Sequence, residues 1–245
     1  SGKVLLDIYR RTSGDPIGAM KKLLRAAETV SRETGARWEI TACATTGSGR
    51  KLVGQILGAD EIVNEITAHA RGALLLFGDG IETLFEIGGQ DSKYVHMQSG
   101  RVDHVNMNYV CAAGTGSFVE EQAKKLGFAL QEIGDIVQGI APPFTSERCT
   151  VFMERDVEKL LRDGFTREEA MAAVLYSVCF NYLAKVVGNR PVTGERVLFQ
   201  GATAKNKGLV AAFEVILGKE IVTSPFCHVA GAIGAAELAR KKLAA

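Results

Sequence analysis

Residues 85–93 read FEIGGQDSK, and the predicted fold depends most on them. The apolar residues of this stretch belong to a strand that we predict over 83–87, and the strand ends at Gly88-Gly89. Glycines at the end of a strand let backbone N–H groups approach phosphate oxygens, and the carboxylate of Asp91 is a ligand that Mg²⁺ accepts. Taken alone, such a Gly-Gly turn is more often a purely structural hairpin than a phosphate-binding turn, so both interpretations stay open for this stretch.

Two more turns rich in small residues follow, at 114–116 and 201–206. The first, GTG, opens a predicted helix over 117–125, and a helix N-terminus suits a phosphate or ribose group. The second, GATAKN, lies between a predicted strand at 197–200 and a helix through Leu217, with room for a flat base. The chain has no GxxxxGK followed by Ser or Thr, which excludes a Walker-type P-loop, and no GxGxxG after its first strand, which argues against a Rossmann site. Three such turns in one α/β region predict nucleotide binding.

The five cysteines are odd in number and include no CxxC pair, which argues against a disulfide framework and for a reducing compartment. We expect Cys43, Cys179 and Cys227 to be buried reduced thiols, since their neighbours are apolar or small. Cys111 and Cys149 each precede a predicted helix start, where partial positive charge favours a thiolate. Two thiolates are half of the ligands of a four-iron cluster, and a symmetric dimer would supply the rest. A small buried residue before a turn is the alternative for each.

The composition bounds the function class. Lys and Arg number 29 against 28 Asp and Glu, without a basic run, so a nucleic-acid partner is not expected. No stretch reaches the roughly 20 apolar residues of a membrane span, so we expect no membrane partner and a cytoplasmic protein. The four histidines are scattered without a metal-binding spacing.

The order of predicted elements suggests two units. Strands at 4–9 and 38–42 alternate with helices beginning at Pro16, at 50–57 and at 61–73, as in a parallel α/β arrangement. Beyond residue 81 we predict the strand at 83–87, a hairpin at 93–97 and 102–105, helices at 117–125, 150–162 and 167–187, the strand at 197–200, and a tail helix at 231–243. We expect a first unit of residues 1–80, onto which 229–245 packs, and a second of 81–228.

Three strings resemble one known family. Residues 85–93, residues 108–118 (NYVCAAGTGSF) and residues 147–152 (ERCTVF) are similar to the BadF/BadG/BcrA/BcrD ATPase family, and within it to activators of 2-hydroxyacyl-CoA dehydratases. The similarity runs from the first residues to the C-terminal helix. It implies an α/β protein of the actin/Hsp70/sugar-kinase fold, with two ribonuclease-H-like domains and a nucleotide in the cleft between them.

The resemblance also implies a function. Activators of this kind are homodimers with one [4Fe-4S] cluster at the interface, held by two cysteines of each subunit, and these positions match Cys111 and Cys149. ATP with Mg²⁺ would reorient the helices around the cluster. One low-potential electron would then pass to an acyl-CoA dehydratase or reductase, after supply by a ferredoxin or flavodoxin.

The family motifs carry over to named positions. Gln90 and Asp91 match the catalytic end of a phosphate motif. Lys93 is either a phosphate contact or an exposed strand residue. The residues expected to bind the nucleotide are Gly88, Gly89, Lys93, Gly114, Thr115, Gly116, Gly201, Ala202, Ala204 and Asn206.

The sequence departs from the family at its beginning. The family fold opens with a turn of the type Asp-x-Gly-Ser-Thr followed by a Lys, whereas residues 4–9 match the strand after it. We therefore expect a first domain truncated at its N-terminus, or a segment of a large tandem member, and no efficient ATP hydrolysis by this chain alone. Ala202 also stands where a second glycine is usual. Two alternatives stay open: a non-catalytic nucleotide-binding or dimerisation module of a larger protein, and a small-molecule kinase on the same fold.

Overall fold

The computed structural model describes residues 2–108 and 112–244, without the side chains of Thr150 and Val151. The described helices are α1 (Pro16–Thr34), α2 (Arg50–Leu57), α3 (Glu65–Phe77), α4 (Gly116–Leu126), α5 (Ile133–Ile136), α6 (Thr150–Arg162), α7 (Arg167–Tyr182), α8 (Lys207–Leu217) and α9 (Ala230–Leu243). The strands are β1 (Ala44–Thr45), β2 (Glu61–Ile62), β3 (Thr83–Ile87), β4 (Ser92–Gln98), β5 (Arg101–Asn108), β6 (Arg196–Gln200) and β7 (Glu220–Thr223). The chain divides into two compact units: residues up to Gly78 with those from Val229 onward, and Asp79–His228.

The second unit is built on a five-stranded mixed sheet with the order β5-β4-β3-β6-β7. β4 pairs antiparallel with β3 and β5, whereas β6 pairs parallel with β3 and β7. Ser99 and Gly100 join β4 to β5 with positive φ angles of 50° and 72°, which suits a two-residue hairpin. All five residues of β3 are buried, as befits a central strand. The predicted strand, hairpin and helices of this region are confirmed.

Aromatic packing on the central strand forms the core of this unit. The ring of Phe85 on β3 lies 4.8 Å from that of Tyr182 and 5.4 Å from that of Phe213, measured between centroids. Tyr182 belongs to α7 and Phe213 to α8, so both helices are fixed against the middle of the sheet.

Helix α7 is the most buried helix of this unit. It begins with a capping box between Thr166 and Glu169. The segment Arg167–Val187 has the length and apolar composition of a membrane span, so the expectation that no stretch approaches one was wrong. However, 72% of its most apolar window is buried within the protein, which is typical of a core helix. The helix continues into a wider π-type turn over Leu183–Val187, where Gly188 N donates to Leu183 O at 2.8 Å.

The first unit holds together mainly through two helices that are distant in sequence. Its sheet consists of β1 and β2, paired parallel over two residues each. α3 and α9 approach closely at glycines, since a Cβ on Gly72 would lie 2.3 Å from Ala230 O and one on Gly234 would lie 1.9 Å from Ala68 O. Any side chain at these positions would meet backbone atoms of the other helix.

Two predicted strands of the first unit are wrong. Residues 4–9 and 38–42 form no strand, because a strand needs a neighbour for its backbone hydrogen bonds and none of the described strands pairs with them. Residues 4–8 still alternate in exposure, with Val4, Leu6 and Ile8 half-buried, and residues 2–8 line a cavity of about 530 Å³ beside α9. The segment therefore keeps the alternating exposure of a strand without the backbone pairing of one.

One predicted helix boundary is also wrong, and two short elements were missed. The third helix begins at Glu65 rather than residue 61, because Asn64 caps it by accepting from Ile66 N at 2.9 Å and residues 61–62 pair with β1. The short strand β7 and the short helix α5 were not predicted.

Candidate nucleotide turns and thiolate segment

The turn after β3 is closed by its own backbone and tied to the start of α4. Gly88 N donates to Asp91 O at 2.9 Å. Gly116 N then donates to Gly88 O at 2.9 Å, and Ser117 N to Gly89 O at 2.8 Å. The Ser117 hydroxyl donates to the same Gly89 carbonyl. The first two predicted turns therefore form one connected structure.

The third turn joins the same place. Thr203 Oγ1 donates to Ile87 O at 2.6 Å, at the end of β3. A Cβ on Gly201 would lie 2.2 Å from Ile87 O, and Gly201 also has a φ of +95°. A Cβ on Gly116 would lie 2.8 Å from the methyl carbon of Thr203. All three turns meet where the parallel strands β3 and β6 end, which is where α/β sheets commonly bind ligands.

The side chain of Lys93 is buried and paired with two carboxylates. Its side chain is 1% exposed, so the alternative of an exposed strand residue is wrong. Its Nζ lies 2.8 Å from Glu86 Oε2 and 3.1 Å from Asp91 Oδ1. Such burial of a charge is tolerated because both carboxylates pair with it. Lys93 therefore positions Asp91, whose side chain is one-third exposed, while the neighbouring Gln90 is exposed.

The remaining predicted nucleotide residues are partly engaged in local structure. Asn206 caps α8, with its Oδ1 accepting from Gly208 N at 2.9 Å and Leu209 N at 3.2 Å. Thr115 is fully buried and donates its hydroxyl to Ala112 O at 2.7 Å. Ala202 is half-buried and Ala204 is buried. These contacts give the turns a fixed shape.

Gly114 connects the second turn to α7. A Cβ on Gly114 would lie 3.4 Å from both the N and the Cα of Tyr182, which is close packing of backbone on backbone. The hydroxyl of Tyr182 in turn donates to Lys93 O at 2.7 Å. The same residue of α7 therefore contacts two of the three predicted turns.

Cys149 is exposed and occupies the N-cap position of α6. Its carbonyl accepts from Met153 N at 2.9 Å, so the thiol stands at the positive end of that helix. The preceding residues are held from α7, because Ser177 Oγ donates to Ser146 O at 2.9 Å and Asn181 Nδ2 donates to Arg148 O at 2.9 Å. Cys111, the second predicted cluster ligand, lies outside the described residues.

The other cysteines differ in burial. Cys179 and Cys227 are buried as predicted, and burial raises the pKa of both thiols. Cys43 is only half-buried, contrary to the prediction. Partial burial raises the pKa of its thiol, and the carboxylate of Asp60 adds to that effect.

Residues 10–239 match the model of the BadF/BadG/BcrA/BcrD ATPase family. The chain belongs to this family. It is 35% identical over 202 residues to the (R)-2-hydroxyglutaryl-CoA dehydratase activating ATPase of Acidaminococcus fermentans, with 81% of this chain and 75% of the relative covered. It is 33% identical over 225 residues to the activator of lactoyl-CoA dehydratase of Anaerotignum propionicum, covering 89% and 85%.

A solved structure supports the same assignment. The activator of the 2-hydroxyisocaproyl-CoA dehydratase from Clostridium difficile with bound ADPNP superposes with a TM-score of 0.83 at 30% identity, covering 98% of this chain and 88% of that one. The fold is the actin/Hsp70/sugar-kinase ATPase fold, as the sequence predicted.

Sequence reasoning missed four side chains that organise this region. Ser117 and Thr203 fall within the quoted strings, so their position beside the glycines was a usable signal. The sequence signal for Ser177 and Asn181 was weaker: two polar residues four positions apart lie in a mostly apolar part of the helix.

Proposed function

We propose that this protein is an ATP-dependent activator that passes a low-potential electron from a [4Fe-4S] cluster to an acyl-CoA dehydratase or reductase. One observation carries the proposal: the exposed thiol of Cys149 stands at a helix N-terminus in the same unit in which the three glycine turns meet. The relatives named as dehydratase activators set the reaction class.

The chemistry of Cys149 fits a cluster ligand. Iron–sulfur clusters are held by thiolates, and the positive end of α6 favours the deprotonated sulfur. An exposed position suits a cluster shared by two copies, to which each would contribute Cys149 and Cys111. When bound, such a cluster stores and releases one electron at low potential.

The turns would bind ATP and ADP with Mg²⁺. Asp91, fixed by Lys93, offers a one-third-exposed carboxylate for the ion, and the exposed Gln90 beside it would orient the attacking water. Gly88 and Gly89 would face the phosphates, and residues 201–206 the adenosine. Lys93 itself acts on the phosphates through Asp91, because its ammonium already contacts two carboxylates.

The activator proposal also includes a compartment, an oligomeric state and an electron donor. We place the protein in the reducing cytoplasm, working as a homodimer with a ferredoxin or flavodoxin as its electron donor. Membranes and nucleic acids have no part in the proposal.

Cysteine variants test it. After anaerobic reconstitution with iron and sulfide, we expect Cys149→Ser to retain little or no cluster, measured as bound iron and visible absorption. Cys43→Ser is the matched control, because Cys43 lies in the first unit and should leave iron content unchanged. Calorimetric titration with Mg-ADP should give the same affinity in both variants. Full iron content in Cys149→Ser would overturn the assignment.

A nucleotide-binding module without turnover is the second candidate. The observation that favours this candidate is the small sheet described in the first unit, which has two strands of two residues each. Tight Mg-ADP binding by a protein that retains no iron after anaerobic reconstitution would support this candidate over the activator.

A further inference from the structure

Three buried polar side chains lie on the last turns of α7, at Ser177, Asn181 and Tyr182. Their exposures are 0%, 1% and 0%, within a helix whose other buried residues are almost all apolar. A buried hydroxyl or amide is costly unless it is hydrogen-bonded, so an apolar residue would serve packing better. Asn181 Nδ2 also donates to Ser177 O within α7 at 2.8 Å, so it is the partners outside the helix that indicate what these polar side chains are for.

Ser177 and Asn181 hold the residues just before Cys149. They stand four positions apart, so they share one face of α7. Ser177 Oγ donates to Ser146 O, and Asn181 Nδ2 donates to Arg148 O, each at 2.9 Å. Arg148 also pairs through Nε with Asp156 of α6 at 3.1 Å. The backbone that leads into Cys149 is thus fixed by α7 on one side and by its own helix on the other.

Tyr182, the residue directly after Asn181, holds the nucleotide turns. Its hydroxyl donates to Lys93 O at 2.7 Å, and Lys93 fixes Asp91. Its backbone packs closely on Gly114, where an added Cβ would lie 3.4 Å from the N and Cα of Tyr182. A displacement of these turns therefore acts directly on the helical turn that also holds the Cys149 segment.

The helix is built to transmit such a displacement. Residues 181 and 182 are consecutive on a rigid core helix, so neither can shift along its axis without the other. The π-type turn at Leu183–Val187 follows immediately, and such turns are frequent at functional sites. Asn106 holds that turn through a bond of 2.8 Å from Nδ2 to Val186 O.

We propose that Asn181, with Ser177, is a positioning residue that couples nucleotide occupancy at the turns to the placement of Cys149. This inference takes its purpose from the proposed function, but its geometry stands on hydrogen bonds of the described residues. Neither side chain touches the nucleotide turns; both act through the backbone carbonyls that precede the thiol.

The test is hydrogen exchange of the full chain with and without saturating Mg-ADP, followed by peptide. In the unsubstituted protein we expect ADP to slow exchange several-fold in residues 88–93 and 112–118, and also in residues 146–153. In Asn181→Leu, which keeps a similar volume but lacks the donor, the effect should persist at the turns and disappear at 146–153. Thr83→Val is the matched control, because it also removes a buried side-chain hydrogen bond to a backbone carbonyl, from Thr83 Oγ1 to Thr193 O at 2.9 Å, but lies outside α7 and should keep both effects.

The outcomes distinguish failure of the coupling from failure of the nucleotide assignment. An ADP effect at 146–153 that survives in Asn181→Leu, or that is missing from the unsubstituted protein while the turns are slowed, overturns the coupling. No ADP effect at the turns overturns the nucleotide assignment as well. Iron content is measured separately, so failure of the cluster proposal leaves the exchange result intact. If Asn181→Leu loses protection of β3, Ser177→Ala replaces it, since it removes one hydroxyl and should weaken the effect at 146–153 in the same direction.

Discussion

The two units of the chain differ in how far their backbones are hydrogen-bonded in sheets and in what packs their cores. In the second unit, five strands share one sheet, and aromatic side chains from α7 and α8 pack on its central strand. In the first unit, the described strands are two residues long, and the main packing is between α3 and α9, which are distant in sequence. Exposed large apolar side chains do not separate the two units, since Leu5 is 88% exposed in the first and Phe144 is 96% exposed in the second.

The larger core and the candidate site both belong to the second unit. The second unit contains its own core and all three predicted nucleotide turns, together with Cys149. The first depends on close helix contacts that tolerate no added atoms. Perturbing the two units should therefore give different losses.

The largest effect is expected at the core of the second unit. Phe85→Ala removes the ring that contacts Tyr182 and Phe213 beside the first turn. We expect a loss of roughly 3–5 kcal/mol in the free energy of unfolding, with weaker ADP binding. Urea denaturation and calorimetry measure both. Phe144→Ala is the control, because that ring is 96% exposed and its loss should cost less than about 0.5 kcal/mol.

The helix contact of the first unit should come next. Gly234→Ala places a methyl 1.9 Å from Ala68 O, so α3 and α9 must separate. We expect a loss of roughly 1–3 kcal/mol. Hydrogen exchange should quicken in α3 and α9 and stay unchanged in β3. Gly49→Ala meets no atom within 4 Å and serves as the control. Equal quickening in β3 would show that the two units unfold together and would weaken the comparison.

A substitution at the phosphate turn should separate binding from stability. A Cβ on Gly89 would meet no atom within 4 Å, so Gly89→Val should fold normally. Its side chain would stand where a phosphate approaches, and we expect ADP affinity to fall about tenfold, or roughly 1.4 kcal/mol. Unchanged affinity by calorimetry would remove this turn from the nucleotide site.

The smallest effect should come from a charge on α9. Hydrogen bonds from Arg240, and then from Arg71, lower the pKa of the buried Glu237 carboxyl against the opposing effect of burial. The folded pKa thus lies below the unfolded value of about 4.3, so this group stabilises the first unit above that pH and the gain is lost as pH falls through the folded pKa. Melting curves from pH 7 to pH 3 should show this loss in the unsubstituted protein. In Glu237→Gln the corresponding step should be absent, and an identical pH dependence would contradict the pairing.

The sequence predicted the second unit better than the first for a physical reason. Its strands are apolar runs bounded by glycine turns, and its hairpin is encoded in adjacent residues such as Ser99 and Gly100. The strands predicted at 4–9 and 38–42 depended on distant pairing partners, which local pattern does not specify.

The site followed the same division. The glycine turns could be located from sequence, since their small residues are needed for close backbone approach. The burial of Lys93 could not be predicted from sequence. Its partners Glu86 and Asp91 come close to it only because β3 and β4 pair antiparallel and a turn joins them. The bonds from Ser177 and Asn181 to the Cys149 segment likewise join residues about 30 positions apart.

Iron and acid-labile sulfide per chain, measured after strictly anaerobic purification, show whether the protein carries a cluster. The account predicts about two of each per chain, as one four-iron cluster shared by two copies requires. Absence of both, including after reconstitution, would contradict it and leave Cys149 as an exposed thiol beside a nucleotide-binding unit.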